Sequence, residues 1–221
     1  MGAGYRLEDA IGTSLVTFTV AGIIATVIYG RRSAIDWRSA ALTSAGSIIG
    51  GPIGAKLSVW LPERIVSGCF AAFLLLTGVT TLWRRSSPEF EDSDAPQIGS
   101  LALIACGISV GVGSGLTGIG GPAILVPLLL LLRLPSSVAV GISQPNAIAA
   151  SASGAVGHLI FGRIDVPLAV FLSLVAGAGV AVGSVIHKRI AAESLRKIVG
   201  TACVVLGLWL GYQFFQTLRG R

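Results

Sequence analysis

The residues best suited to chemistry lie in one glycine-rich run, residues 111–122 (GVGSGLTGIGGP), inside the longest uncharged stretch of the chain. Glycines at this density disfavour a continuous helix, and Pro122 stands where a new helix would begin. The free N–H groups of such a helix start, together with the helix dipole, favour an anion. The run therefore predicts an anion site, with a purely structural kink as the alternative. The candidate residues are Ser114, Thr117, Gly118, Gly120, Gly121 and Pro122.

Polar side chains also stand near the start of two other apolar segments. Side chains of this kind within apolar spans usually face the interior of a helix bundle. In the later segment Pro145 predicts a local break that frees backbone carbonyls. These side chains are therefore predicted to contact a substrate, and hydrogen bonding between helices is an equally weighted alternative. The candidates are Thr13, Ser14, Ser143, Gln144 and Asn146.

One histidine and two aspartates lie at the ends of apolar segments. A histidine within the membrane can relay protons, so His158 is a candidate relay, with a plain hydrogen bond as the alternative. Asp36 and Asp165 each precede an apolar segment. That position predicts helix capping or an ion pair with Arg38 or Arg163, and not contact with a substrate.

The signatures of the common enzyme classes are absent from the sequence. There is no HExxH, Walker loop, Ser/His/Asp arrangement or pair of buried carboxylates. Residues 113–118 match G-x-G-x-x-G, but a dinucleotide site needs a preceding strand and an acidic residue about 20 positions later. The next acidic residue is Asp165. The sequence therefore predicts no enzyme, no catalytic residue, no cofactor and no metal site.

The composition indicates which kind of structural element positions these residues. Of the 221 residues 53% are hydrophobic and 12% charged, with a mean hydropathy of +0.83. A soluble domain of this size could not bury so much apolar surface. The net charge of +6 comes from basic residues in short loops between apolar runs. This pattern indicates orientation in a membrane and not a nucleic-acid partner.

The apolar segments predict an all-α membrane protein, a polytopic helical bundle. One segment, residues 98–132, has no charge and would be roughly 50 Å long as a straight helix, too long for one span. It is therefore predicted to be broken or re-entrant, with two half-helices joined by an irregular loop. The predicted segments are residues 11–29, 39–61, 65–83, 98–132, 138–161, 166–186 and 195–216.

The two halves of the chain align without gaps when shifted by 129 residues. Residues 10–14 fall on residues 139–143, and Gly50 falls on Gly179. This register predicts two pseudo-symmetric repeats, the first with three spans and the second with the broken segment and three spans. The predicted divisions are 1–83, a polar linker at 84–97, and 98–221.

The basic residues predict how the repeats are oriented. If the broken segment enters and leaves on one side, ten basic residues share one face and six the other. The asymmetry favours a re-entrant segment, a cytoplasmic ten-residue face and inverted repeats. The broken segment has no counterpart in the first half. We therefore expect a partner segment upstream of Met1, lost through a misplaced start codon or a truncation.

These motifs together resemble a known family. Residues 114–127 resemble the glycine-rich signature of the TauE/SafE sulfite exporter-like family, and residues 10–14 and 139–143 resemble the segment that follows it in each half. Residues 158–165 resemble its short connection ending in an aspartate. The resemblance covers nearly the whole chain. The chain departs from the family by lacking the N-terminal glycine-rich segment and by carrying Pro122 where a third glycine is common.

The resemblance implies a bacterial inner-membrane permease of seven or eight spans, in a family associated with sulfite, thiosulfate and sulfoacetate. The expected function is a multi-pass secondary transporter of a small, sulfur-containing anion, with the lipid bilayer as its other partner and no nucleic acid. The resemblance leaves open whether the protein forms a homo-oligomer. The alternative from another class is a membrane scaffold or assembly factor that transports nothing.

Overall fold

A computed structural model describes residues 7–31, 35–83, 98–132, 134–161 and 164–186, and residues 200, 201, 204–209, 211 and 212. Every regular element in these residues is a helix, so the predicted all-α class is confirmed. The predicted polar linker lies outside the described residues. The helices are α1 (Leu7–Gly30), α2 (Trp37–Trp60), α3 (Glu63–Trp83), α4 (Ser100–Thr117), α5 (Gly121–Leu131), α6 (Ser136–Phe161) and α7 (Val166–Ile186).

The distribution of side chains is that of a membrane protein. Three helices among the described residues are long and apolar enough to span a bilayer, at Asp9–Gly30, Ser100–Thr117 and Val166–Gly183. Large apolar side chains such as Leu101 and Leu174 face outward, at 81% and 70% exposure. Buried positions include many small and polar residues. Lipid, and not water, is the environment that accepts such an outer surface.

The chain forms two compact units. The first contains α1, α2 and α4–α7, and the second contains α3 and residues 200–212 as far as they are described. Within the second unit, Gly78 packs against Val204 and Gly207 against Leu75. All the candidate site residues lie in the first unit. Within it, α2 packs most extensively against α4 and then against α6, and α6 also contacts α1 and α5.

Helices α2 and α4 meet along glycines spaced four residues apart, which we call the glycine seam. A Cβ on Gly46 would lie on the carbonyl oxygen of Ile104, and a Cβ on Gly107 would lie on that of Thr43. The two backbones are therefore in direct contact, as small residues permit in membrane helices. The glycine seam consists of Gly46, Gly50 and Gly54 on α2 and Gly107, Gly111 and Gly115 on α4.

The glycine seam corrects one expectation from the sequence. The whole cluster from residue 111 was predicted to interrupt the helix, but α4 continues through Gly111, Gly113 and Gly115 to Thr117. Packing against α2 compensates for the low helix propensity of Gly111 and Gly115. The interruption is therefore confined to the three residues 118–120.

The predicted break at Pro145 is also wrong, since α6 runs without interruption from Ser136 to Phe161. A proline removes a single helix hydrogen bond, and in membrane helices nearby side chains satisfy backbone groups around it. Pro145 deprives only the Gly141 carbonyl of its helix donor, while Ser143 Oγ and Gln144 Nε2 donate to the neighbouring Val140 carbonyl at 2.7 and 3.1 Å. The rest of α6 is stabilised by its packing against α1, α2 and α5.

The two aspartates that precede apolar segments act as helix caps, as predicted. Asp36 Oδ1 accepts a hydrogen bond from the Arg38 N–H at 3.1 Å at the start of α2. Asp165 Oδ1 accepts one from the Leu168 N–H at 3.1 Å at the start of α7. These bonds satisfy N–H groups that have no partner within the helix.

Helices α6 and α7 begin 129 residues after α1 and α2, the same interval as the sequence register. The internal repeat, its inverted orientation and the repeat boundaries at 1–83 and 98–221 stay predictions.

Candidate functional site

The helix break joins α4 to α5 through Gly118, Ile119 and Gly120. Gly118 has φ 72° and ψ 9°, the left-handed region, and its N–H donates to the Ser114 carbonyl at 2.8 Å. Gly120, with φ −58° and ψ 146°, is extended and precedes the first residue of α5, Gly121. The predicted interruption of this segment is thereby confirmed by the geometry, although α4 alone is long enough to span a bilayer and is not a half-helix. Pro122 is the second residue of α5, at the helix start where the sequence placed it.

A different neighbour lies against each of the two glycines of the break and against the adjoining Gly121 of α5. A Cβ on Gly118 would lie 2.6 Å from Ser14 Oγ, and a Cβ on Gly120 would lie 2.7 Å from the ring of Phe18. A Cβ on Gly121 would lie 2.9 Å from Asn146 Oδ1. The break is therefore enclosed by α1 on one side and by α6 on another, and it is buried at all three glycines.

The hydroxyl of Ser14 links α1 to the break. Its Oγ lies 2.8 Å from the Ile11 carbonyl and 3.1 Å from the Gly118 carbonyl. A hydroxyl has one proton, so it can satisfy only one of these two acceptors fully at a time. Thr117 Oγ1 donates to the Gly113 carbonyl of its own helix at 2.6 Å and accepts from the Ile119 N–H of the break at 3.4 Å.

A relay of buried side chains reaches the break from α2 through α6. Ser47 Oγ donates to the Gly107 carbonyl at 2.8 Å, and Asn146 Nδ2 donates to Ser47 Oγ at 2.8 Å. Asn146 and Ser47 are both 0% exposed. Among the described residues, Asn146 Oδ1 and Ser114 Oγ are buried without a hydrogen-bond partner. A buried polar atom in this state needs a physical reason, such as a ligand, an ion or an ordered water that it contacts.

The start of α5 provides hydrogen-bond donors at the break. Its first N–H groups have no partner within the helix. Pro122 has no N–H, and the Ala123 N–H donates to the Gly120 carbonyl at 3.2 Å. Among the described residues, no acceptor is found for the Gly121 N–H. This N–H and the positive end of the α5 dipole make the break suitable for a negatively charged ligand.

Several predicted residues lie away from the break. Ser143 and Gln144 hydrogen-bond to the Val140 carbonyl of their own helix. Thr13 Oγ1 donates to the Asp9 carbonyl at 2.6 Å and accepts from the Asp165 N–H at 3.2 Å, so it links α1 to the start of α7. The structure therefore brings together Ser14, the break and Asn146, and it gives the other three side chains local or interhelical bonds.

His158 is fully buried against the glycine seam. Its Nε2 lies 3.0 Å from the Gly115 carbonyl of α4 and 3.4 Å from Ser58 Oγ of α2. A carbonyl only accepts, so Nε2 carries a proton and donates. The same Ser58 Oγ donates to the Ala55 carbonyl at 2.8 Å. These bonds join three helices, which supports the structural alternative for this residue.

We expect His158→Ala to lower the free energy of unfolding by about 2–4 kcal/mol, because it removes a buried ring and leaves the Gly115 carbonyl without its donor. His158→Gln should lose less, since its side-chain amide can donate in place of Nε2. Thermal unfolding of the detergent-purified protein measures both. A glutamine variant of normal stability that has lost solute flux would instead favour the proton relay.

Two residues at the site were not predicted from the sequence, Ser47 and Phe18. Ser47 lies in a run of small residues whose spacing indicated only close helix packing. Its partner, Asn146, is 99 positions away. The only signal in the sequence was that Ser47 and Asn146 are polar residues within apolar segments, and this does not identify them as a hydrogen-bonded pair.

Comparisons with known proteins give matches that extend over nearly the whole chain. The family model described as Sulfite exporter TauE/SafE matches residues 2–210. The probable membrane transporter protein YunE of Bacillus subtilis strain 168 is 29% identical over 93% of this chain and 81% of its own length. The probable membrane transporter protein MJ0441 of Methanocaldococcus jannaschii is 23% identical over 92% of this chain and 79% of its own length. No solved structure gives a significant match.

These relatives are named as transporters, and their similarity covers the helices that form the break. A transporter of this kind contacts a small solute and the lipid around it. The family match, the relatives and the apolar helices agree that this chain is a membrane transporter belonging to the sulfite exporter TauE/SafE family.

Proposed function

We propose that the protein is a multi-pass inner-membrane secondary transporter of a small oxyanion or sulfonate, with sulfite, thiosulfate and sulfoacetate as the substrate class. The supporting observation is the buried break at residues 118–120. There the start of α5 presents the Gly121 N–H, which has no acceptor in the described part of the chain, and Gly121 lies against Asn146 Oδ1. Irregular backbone is tolerated inside a membrane protein where it is buried or lines a solute path. The description of the family names sulfite.

The proposed site binds charge without a charged side chain. A lysine or arginine would hold an anion tightly in a dry interior, whereas a helix dipole and a few N–H groups contribute a smaller attraction. Moderate binding suits a transporter, because the solute must also be released. Ser14 is the second proposed donor, since its hydroxyl lies between two carbonyls and can turn toward a ligand at the break.

Movement of the solute is proposed to follow from rocking of one repeat against the other around the break, as in other transporters with inverted repeats. The process breaks no bond in the solute, which agrees with relatives that are named as transporters. Ser114, Thr117, Ser143, Gln144 and Thr13 stay candidate contacts in conformations that expose them.

The test is anion flux in proteoliposomes containing the purified protein. We expect uptake of sulfite, thiosulfate or sulfoacetate above that of protein-free vesicles, and chloride should move more slowly. Gly121→Leu should reduce the flux at least ten-fold, because the new side chain would overlap Asn146 Oδ1 and the Ala147 backbone and displace the start of α5.

The matched control is Gly179→Leu on α7, where a Cβ meets nothing within 4 Å. This variant should transport normally. Absence of flux for every anion with folded protein would contradict the proposed function. Normal flux in Gly121→Leu would place the site elsewhere in the protein.

A further inference from the structure

The relay from α2 to the break fixes the direction of each hydrogen bond in it. Ser47 Oγ lies 2.8 Å from the Gly107 carbonyl, and a carbonyl oxygen can only accept. The single proton of the Ser47 hydroxyl is therefore directed at Gly107. Toward Asn146 the same oxygen can only accept, so the group of Asn146 that faces it must be the NH₂ group.

This constraint determines which end of the Asn146 amide faces the break. The two ends of an amide are assigned from their hydrogen-bond partners, and here the partner requires Nδ2 at 2.8 Å from Ser47 Oγ. Oδ1 is then turned toward the first residue of α5, 2.9 Å from where a Cβ of Gly121 would stand. Asn146 is 0% exposed, and among the described residues its Oδ1 has no hydrogen-bond partner.

The break therefore presents opposite hydrogen-bonding groups at one place. The Gly121 N–H and the α5 dipole favour a negatively charged acceptor. Asn146 Oδ1 accepts hydrogen bonds and donates none. A halide or a fully deprotonated oxyanion would satisfy the donors but would bring its lone pairs against those of Oδ1. An anion that keeps an O–H or N–H group would satisfy both.

We infer that this site selects anions that carry a hydrogen-bond donor, with Asn146 Oδ1 as the specificity-determining acceptor and Ser47 as the residue that positions it. The inference rests on the proposed function and deepens it. For sulfite it means that hydrogensulfite, and not the dianion, is the form that binds. It also places thiosulfate and sulfoacetate, which carry no O–H or N–H group at neutral pH, below sulfite within the proposed substrate class. The proton of the substrate then crosses the membrane together with the anion.

Two nearly isosteric monoanions test the inference at a single pH. Sulfamate carries an amino group where methanesulfonate carries a methyl group, and both have one negative charge at neutral pH. In proteoliposomes we expect sulfamate to compete with labelled sulfite roughly ten-fold or more better than methanesulfonate. That ratio corresponds to one buried acceptor satisfied by the first anion and left unsatisfied by the second.

Ser47→Ala tests the positioning role, because without the hydroxyl the Asn146 amide is free to turn its NH₂ group toward the break. The preference for sulfamate over methanesulfonate should then fall to within about two- to three-fold. Ser153→Ala is the matched control. Ser153 Oγ lies within hydrogen-bond distance of the Ser47 and Ala150 carbonyls, at 3.0 and 3.2 Å, and makes no hydrogen bond to the Asn146 amide, so the preference should be unchanged.

The outcomes separate the two proposals. Equal competition by sulfamate and methanesulfonate in the unaltered protein overturns the selectivity, while sulfite flux in the same vesicles leaves the proposed function standing. Absence of flux and competition for every anion overturns both. A full preference in a folded Ser47→Ala variant overturns the role of Ser47. If Ser47→Ala does not fold, the competition by sulfamate and methanesulfonate in the unaltered protein still tests the selectivity.

Discussion

Gly50→Ala is expected to lower the free energy of unfolding by about 3 kcal/mol or more, although it adds only one methyl group. Gly50 lies in the middle of the glycine seam, and the new Cβ would fall on the carbonyl oxygen of Ile108 in α4 and 2.9 Å from the Val112 amide nitrogen. Backbone atoms cannot rotate away as the end of a side chain can. The two helices must separate, which weakens contacts along the whole seam.

The measurement is the thermal unfolding midpoint in detergent, together with the fraction of monodisperse protein. Gly183→Ala is the control, because the same substitution on α7 meets nothing within 4 Å. It should be neutral or slightly stabilising, since alanine favours a helix by up to about 1 kcal/mol over glycine. Equal midpoints for the two variants would show that the seam is not under this packing constraint.

Gly118→Val is expected to abolish anion flux by displacing the break. Gly118 has φ 72°, a conformation that a β-branched residue rarely adopts. Its Cβ would also lie 2.6 Å from Ser14 Oγ and 3.1 Å from Ile11 Cα. Backbone strain of roughly 1–3 kcal/mol adds to this overlap. The start of α5 must move, and at least a hundred-fold loss of uptake should follow.

Two further variants separate the effect of backbone strain at Gly118 from the effect of the overlap between its new side chain and Ser14. Gly118→Asn should keep the left-handed conformation, which asparagine tolerates, and still contact Ser14. Combining it with Ser14→Gly removes the closest contact and should restore part of the lost thermal stability, a coupling measured by a double-mutant cycle. Gly99→Val, at the start of α4 where a Cβ meets nothing within 4 Å, should transport normally. Full flux in Gly118→Val would contradict the placement of the site.

The helices themselves could be predicted because their signal is local. The apolar segment at residues 166–186 coincides with α7, and residues 39–61 overlap α2 within a few positions. The break was also foreseen, since an uncharged stretch of 35 residues could not form one span. Length and hydropathy depend only on neighbours in sequence, so no knowledge of the packing was needed.

The extent of the break could not be predicted in the same way. Gly115 and Gly118 are both glycines of one run, yet one packs in a helix and the other ends it. The difference lies in α2, which contacts Gly115 through the Gly51 backbone. Likewise, the sequence placed Asn146 among the candidates without its partner Ser47, because a hydrogen bond across 99 positions leaves no periodic pattern.

The glycine seam has a consequence for the gene as well as for the protein. Every missense change of one nucleotide in a glycine codon introduces a residue with a Cβ, so the six codons have no mild replacement available to them. Mutational drift at these positions should therefore be confined to synonymous third-base changes. The outward face of α7, where glycines such as Gly179 have open space around them, should diverge freely.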